Sequence, residues 1–156
     1  MIKEAEISDA PAIYSLVSHY GGTVNEWTKK EIENFISNHR DYCILTAKQN
    51  EEIIGYAFAK LTWRKMHLIN IAVKSEMRGQ GIAKEMTRWL INRAKSQGFS
   101  KMYLEVRASN TTAIKMYESL SFKTRYIVPG LYQNEDGFIM YLPLSQNHPS
   151  RRREIY

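Results

Sequence analysis

The chain has 156 residues, 44% of them hydrophobic and 24% charged, with a net charge of +6, which suits one globular domain with a real core and excludes a disordered or fibrous chain. No apolar run is long enough to cross a bilayer, the N-terminus lacks the apolar core of a secretion signal, and a lone cysteine, Cys43, can form no internal disulfide, so a cytoplasmic protein with no membrane partner is expected. Arg151, Arg152 and Arg153 supply half of the positive excess, and elsewhere charges of both signs alternate, which favours a solvated surface with a basic tail over a nucleic-acid-binding face.

Residues 2–7 are expected as a strand, with Ser8 as N-cap of a helix over 9–19 that tolerates Pro11 in its first turn. Gly21 and Gly22 break the chain. Thr28-Lys29-Lys30-Glu31 has the spacing of a capping box and opens a second helix ending near His39. Residues 42–47 and 53–61 read as a hairpin around the polar segment 48–52. After a turn at Trp63-Arg64-Lys65, a third strand of this group ends at Val73. Charged residues and the turn Arg78-Gly79-Gln80-Gly81 follow.

Ile82, Met86, Trp89, Leu90 and Ala94 then form one apolar stripe at helical spacing, ended by Gly98. Residues 101–107 alternate, Met102, Leu104 and Val106 on one side and Tyr103, Glu105 and Arg107 on the other. Ser109-Asn110-Thr111-Thr112 caps a fourth helix to about Leu120. Residues 122–128 are read as a strand, 129–136 as a loop and 137–142 as the last strand. A strand–helix–strand middle section demands a right-handed crossover and a parallel pair, and the flanking hairpins demand antiparallel pairing. The expected class is α+β: a mixed, mostly antiparallel sheet with a central parallel pair and helices on both faces. One domain over 1–145 precedes a polar, basic tail over 146–156.

A strand feeding a glycine turn onto a helix N-terminus is an anion site, because unpaired N–H groups and the helix dipole converge there. A nucleotide P-loop is excluded by Ile82 and Ala83 after Gly81, and a dinucleotide fingerprint by Lys84 where glycine is needed. Arg78-Gly79-Gln80-Gly81-Ile82-Ala83 instead resembles the R/Q-x-x-G-x-G/A signature of the GCN-five-related (GNAT) acyl-CoA transferases, and residues 70–144 are similar to that fold throughout. Leu104 to Asn110, Ala113-Ile114, Tyr117 to Leu120, Tyr132, Glu135-Asp136, residues 139–144 and the Trp27-Thr28 pair further resemble the ribosomal-protein alanine N-acetyltransferases (the RimI branch). Archaeal and eukaryotic protein N-terminal acetyltransferases are related to that branch. Two departures stand out: Ser121 replaces the usual glycine before Phe122, and Ala83 is the last small residue of the signature.

The resemblance implies a GNAT fold, acetyl-CoA as acetyl donor, no metal, and direct transfer in a ternary complex to a protein N-terminal α-amine. Within the branch the acceptor is the N-terminal alanine of a small-subunit ribosomal protein. It also implies roles. The amides of Arg78, Gly79, Gln80, Gly81, Ile82, Ala83 and Lys84 hold the pyrophosphate, and the edge of Ile71, Ala72 and Val73 pairs with the pantetheine arm. Asn110 bonds that arm or caps its helix, or does both. Glu105 is the general base, the alternative being a surface carboxylate paired with Arg107 or a lysine. Tyr117 is the general acid, the alternative being a core aromatic. Trp27 and Tyr132 flank the acceptor groove or anchor their loops. His19, His39, His67 and His148 show no metal-ligand spacing with one another or with Cys43, which reads as a core residue. Other acceptors remain open, a small-molecule amine or a lysine side chain, as does a non-catalytic CoA-sensing or ribosome-binding module that uses Arg151, Arg152 and Arg153. Ribosome contact and oligomeric state are not legible.

Overall fold

The computed structural model describes residues 1–144; the expected tail, with His148 and Arg151, Arg152 and Arg153, lies outside the described residues. Among these, seven strands form one sheet in the order β1-β2-β3-β4-β5-β7-β6. They are β1 (Ile2–Glu4), β2 (Tyr42–Gln49), β3 (Glu52–Thr62), β4 (Lys65–Val73), β5 (Lys101–Arg107), β6 (Lys123–Tyr132) and β7 (Glu135–Pro143). Only β4 and β5 pair in parallel. The helix α1 (Ala10–Tyr20) and α2 (Lys29–Ser37) pack on one face, α3 (Ile82–Ser96) and α4 (Thr111–Ser119) on the other.

Each face has its own core. Leu45, Leu68, Met102 and Leu104 meet Met86 and Leu90 of α3 and Tyr117 of α4, while Ile44, Tyr56 and Phe58 meet Ile13 and Val17 of α1 and Ile32 and Ile36 of α2. Strands buried on both faces read as continuous apolar runs, as β2 and β3 do. β5 alternates because α1 and α2 lie over β2, β3 and β4, leaving Glu105 and Arg107 exposed on the uncovered half of that face.

Several boundaries differ from expectation. The first strand stops at Glu4 and Ser8 caps nothing: a 3-10 turn over Ile7–Asp9 precedes α1. The Asp9 carboxylate takes the N–H of Glu6 (2.8 Å) and an ion pair with Lys48 (3.2 Å), so it organises the entry instead. Thr28 does cap α2 through the expected box with Glu31, but α2 stops at Ser37. The expected loop 129–136 is mostly strand. β6 runs on to Tyr132 through a register break after Val128, where a bulge accommodates Pro129, and Asp136 accepts the N–H of Gly130 (3.0 Å).

Ser121 adopts φ +75°, the left-handed conformation that suits glycine at a helix end. Ser121→Gly is therefore expected to raise stability by up to about 1 kcal/mol, the relieved left-handed strain less the added chain entropy. Thermal unfolding of the variant measures it.

The decisive irregularity is in the centre of the sheet. β4 and β5 pair only from Lys65↔Lys101 to Leu68↔Leu104. There β4 bulges at Ile69, the consecutive β3 residues Ala59 and Phe58 pairing with Leu68 and Asn70, and a bulge bends its strand. Beyond this point β4 stays with β3 and β5 stays with β7, so a gap opens between them. Asn70 holds the bent segment: its Oδ1 accepts from the Tyr56 hydroxyl (2.6 Å) and its Nδ2 donates to the Gly21 carbonyl after α1 (3.0 Å).

Candidate active site

The gap between the parted strands is a cleft of about 790 Å³ that reaches from the α3/α4 face to the open face of β5. Its β4 wall has a backbone logic. The N–H of Lys74 bonds Ile54 on β3 (2.8 Å), so strand alternation turns the polar groups of Ile71 and Val73 into the gap and those of Ala72 toward β3. The Val73 carbonyl is taken by Arg78 Nε (3.1 Å), which leaves the Ile71 edge and the Val73 N–H facing the gap.

At the mouth of the gap the chain turns through Gly79 (φ +80°) and Gly81 (φ +79°), and a Cβ on either would meet nothing within 4 Å. Gly81 is the N-cap of α3 and has no side chain to cap with. The first-turn amides of Ile82, Ala83 and Lys84 therefore have no helical acceptor and face open space. Open space above a bare helix N-terminus, with Lys84 beside it, fits a pyrophosphate. Gln80, expected in this cradle, is exposed and is not among the residues lining the cleft; Arg78, Gly79, Gly81, Ile82, Ala83 and Lys84 are. An alanine at Gly81 would be held left-handed at a cost of about 1–2 kcal/mol. Gly81→Ala is thus expected to raise the KM for acetyl-CoA about tenfold, read in steady-state kinetics, with kcat largely kept.

The opposite wall is α4. Asn110 Oδ1 accepts from the Ala113 N–H (3.2 Å), and the residue lines the cleft, so it caps its helix at the edge of the site. Tyr117 is 5% exposed, edge-on to Phe122 at 5.7 Å, and also lines the cleft. It is a core aromatic that forms part of the cleft wall. Burial, reinforced by Tyr132, pushes its pKa well above the ordinary tyrosine value, so the phenol keeps its proton.

Glu105 is the first β5 residue beyond the last parallel pair. Its side chain is 42% exposed, and its partner is His67 on β4, Nε2 to Oε1 3.4 Å, rather than Arg107. Arg107 instead stands 3.3 Å from Glu135 and over the Tyr132 ring at 4.3 Å. Glu135 further accepts the hydroxyl (3.0 Å) and N–H (3.1 Å) of Ser109; the hydroxyl bond first, then the other contacts including Arg107, hold its carboxyl below the usual range. These contacts pin the β6–β7 hairpin beside the start of α4 and set Tyr132 in the cleft wall. Trp27 does not line it. Its ring packs 4.9 Å from both Phe35 and Phe58, a loop anchor.

Three participants carried no local signal in the sequence. His67 meets Glu105 only through parallel register, and Asn70 shows its role only across the sheet. Tyr20 closes the far end, its hydroxyl accepting the Ser75 N–H (3.3 Å) and its ring 5.5 Å from the Arg78 guanidinium. Cys43 is buried away from the cleft, and burial pushes its thiol up to about 12, so it offers no nucleophile.

A parallel pair that parts over a glycine-capped helix, with a carboxylate and a buried tyrosine on its two sides, defines an acyl-CoA-dependent amine acyltransferase. The chain belongs to the GNAT acetyltransferase family and is an acetyl-CoA-dependent N-acetyltransferase: the Acetyltransferase (GNAT) family pattern matches residues 10–122. It is 32% identical over 149 residues to the [ribosomal protein bS18]-alanine N-acetyltransferase of Escherichia coli K12, covering 92% of this chain and 97% of that one. It is 31% identical over 126 residues to an N-alpha-acetyltransferase of Saccharolobus solfataricus, covering 70% and 75% respectively. The crystal structure of the ribosomal-protein-S18-alanine N-acetyltransferase from Escherichia coli superposes with a TM-score of 0.82 at 31% identity over 96% of both chains.

Proposed function

We propose that the protein acetylates the α-amine of a protein N-terminus, with the N-terminal alanine of a small-subunit ribosomal protein as acceptor, by direct transfer in a ternary complex. The observation that carries direct transfer is the cleft's reach through the sheet at the parting of β4 and β5: the donor enters from the α3/α4 side and the amine from the Glu105 side. The acceptor rests on the likeness to the bS18-alanine enzyme.

Acetyl-CoA supplies the acetyl group as an activated thioester with a good leaving thiol. The glycine turn and first amides of α3 hold its phosphates, and the Ile71 edge holds its pantetheine arm beside Asn110. Glu105 takes the proton of the incoming amine, directly or through a water. An α-amine has a reference pKa of about 7.7–8.0, so a modest base suffices near neutral pH. The Ile71 N–H faces the gap and donates to the carbonyl oxygen as negative charge develops there. The Tyr117 hydroxyl donates to the sulfur as it leaves.

The test is thiol release from acetyl-CoA with a panel of amines: peptides with free N-terminal Ala, Ser, Met or Gly, an N-blocked lysine peptide, and spermidine. Release with the free N-termini, alanine foremost, is expected. Release with the blocked lysine peptide or spermidine instead would sink the acceptor assignment.

A further inference from the structure

Glu105 has a partner that the roles above leave unused. His67 is one residue before the end of the β4–β5 pairing, opposite Tyr103 on β5 and Lys60 on β3. Its ring stacks on Tyr103 at 4.5 Å and 11°, a contact that fixes its plane, and its Nε2 stands 3.4 Å from Glu105 Oε1 with the side chain 24% exposed. The charged and titratable groups around it are Glu105 and Tyr103 on β5, Lys60 on β3, and Lys65 two residues earlier on its own strand. Burial lowers its basicity, Glu105 opposes and Lys60 adds to the lowering. The imidazole is therefore neutral near pH 7, and its contact with Glu105 is not a standing ion pair. A neutral imidazole that touches a carboxylate and is itself partly exposed can pass a proton from that carboxylate to solvent.

We propose that His67 is the exit for the proton that Glu105 removes from the acceptor amine, a relay residue that also positions the carboxylate. This rests on Glu105 being the base. The balance is simple. The acceptor arrives as an ammonium and ends as an amide: one C–N bond forms, the thioester C–S bond breaks, and two protons leave the nitrogen. One replaces the proton that Tyr117 gives to the sulfur. The other has no place in the products and must reach solvent each turnover. Glu105 passes it to His67 Nε2, and the imidazolium returns it to water, with no other reactant needed.

Three variants test this on the full-length chain. His67→Phe keeps a flat ring on Tyr103 but accepts no proton, His67→Ala leaves a space, and Glu105→Gln removes the base. With acetyl-CoA and the best amine of the panel, His67→Phe and His67→Ala are expected to lower kcat about tenfold at pH 7, less than the roughly 10²–10⁴-fold of a lost general acid or base because Glu105 remains. The KM for acetyl-CoA should stay unchanged and the acidic limb of the kcat–pH profile should move. Added imidazole should restore part of the His67→Ala loss, and His67→Ala should cost nothing further in Glu105→Gln. Wild-type kcat and pH profile in His67→Phe would overturn the relay alone. So would an equal loss at every pH with no imidazole response, which marks packing. Unchanged turnover in Glu105→Gln would overturn the base assignment and the relay with it, and an inactive alanyl peptide beside an active amine would overturn only the acceptor.

Discussion

Tyr117→Phe is expected to lower kcat by about 10²-fold or more, the range of a lost general acid, while the KM for acetyl-CoA changes little. The substitution removes one oxygen from a ring that is 5% exposed and packed against Phe122, so the fold should survive it. Because burial raises the folded pKa of this phenol, the group remains a donor throughout the working range. No alkaline fall in activity below about pH 10, the reference tyrosine value, should trace to it. The sign for stability follows. Above about pH 10 the unfolded tyrosine ionises while the folded one does not, so the unfolded state binds fewer protons and stability falls as pH rises. Tyr117→Phe removes that part of the alkaline loss. Initial rates at saturating acetyl-CoA, with thermal unfolding at pH 9 and 11, measure both effects; full activity in the variant would remove Tyr117 from the mechanism.

Glu105→Gln is expected to lower kcat/KM for an alanyl peptide by about 10²–10³-fold at neutral pH. The side chain is 42% exposed and its polar contact among the described residues is with His67, so its isostere should leave stability within about 0.5 kcal/mol. The defect should narrow as pH rises past the α-amine reference of about 8, where more acceptor arrives already deprotonated. A pH profile of kcat/KM for both proteins reads this directly. A constant defect at all pH values would assign Glu105 to binding rather than to proton removal.

What the sequence made legible was mostly local. The glycine turn, the Thr28 box, the Asn110 cap and the alternation of β5 are patterns of neighbouring residues, and each forms where it was expected. The Ser8 cap failed because Asp9, drawn in by Lys48 from β2, competes for the same helix entry, and that contact spans the sheet. The 129–136 loop failed because Pro129 and Gly130 punctuate a bulge in a continuing strand rather than a loop. The site divides in the same way. Glu105 and Tyr117 were placed by family likeness, but the pairing of Glu105 with His67 depends on the register of two strands separated by a helix. The parting of β4 from β5 hangs on a bulge at Ile69 that no composition marks.

Trp27 shows the converse limit. It stands in a stretch the family likeness covers, yet its ring packs against Phe35 and Phe58 and does not line the cleft. A motif places the backbone. Which side chains of the motif reach a ligand depends on whether the backbone turns them toward the cleft.

The most direct measurement uses one peptide carrying a free N-terminal alanine and an internal lysine, incubated with the protein and acetyl-CoA and fragmented in a mass spectrometer. A single acetyl group on the alanine nitrogen, formed at a far lower initial rate when Tyr117→Phe or Glu105→Gln replaces the wild type, is the expected result. Acetyl on the lysine with the α-amine left free would contradict it.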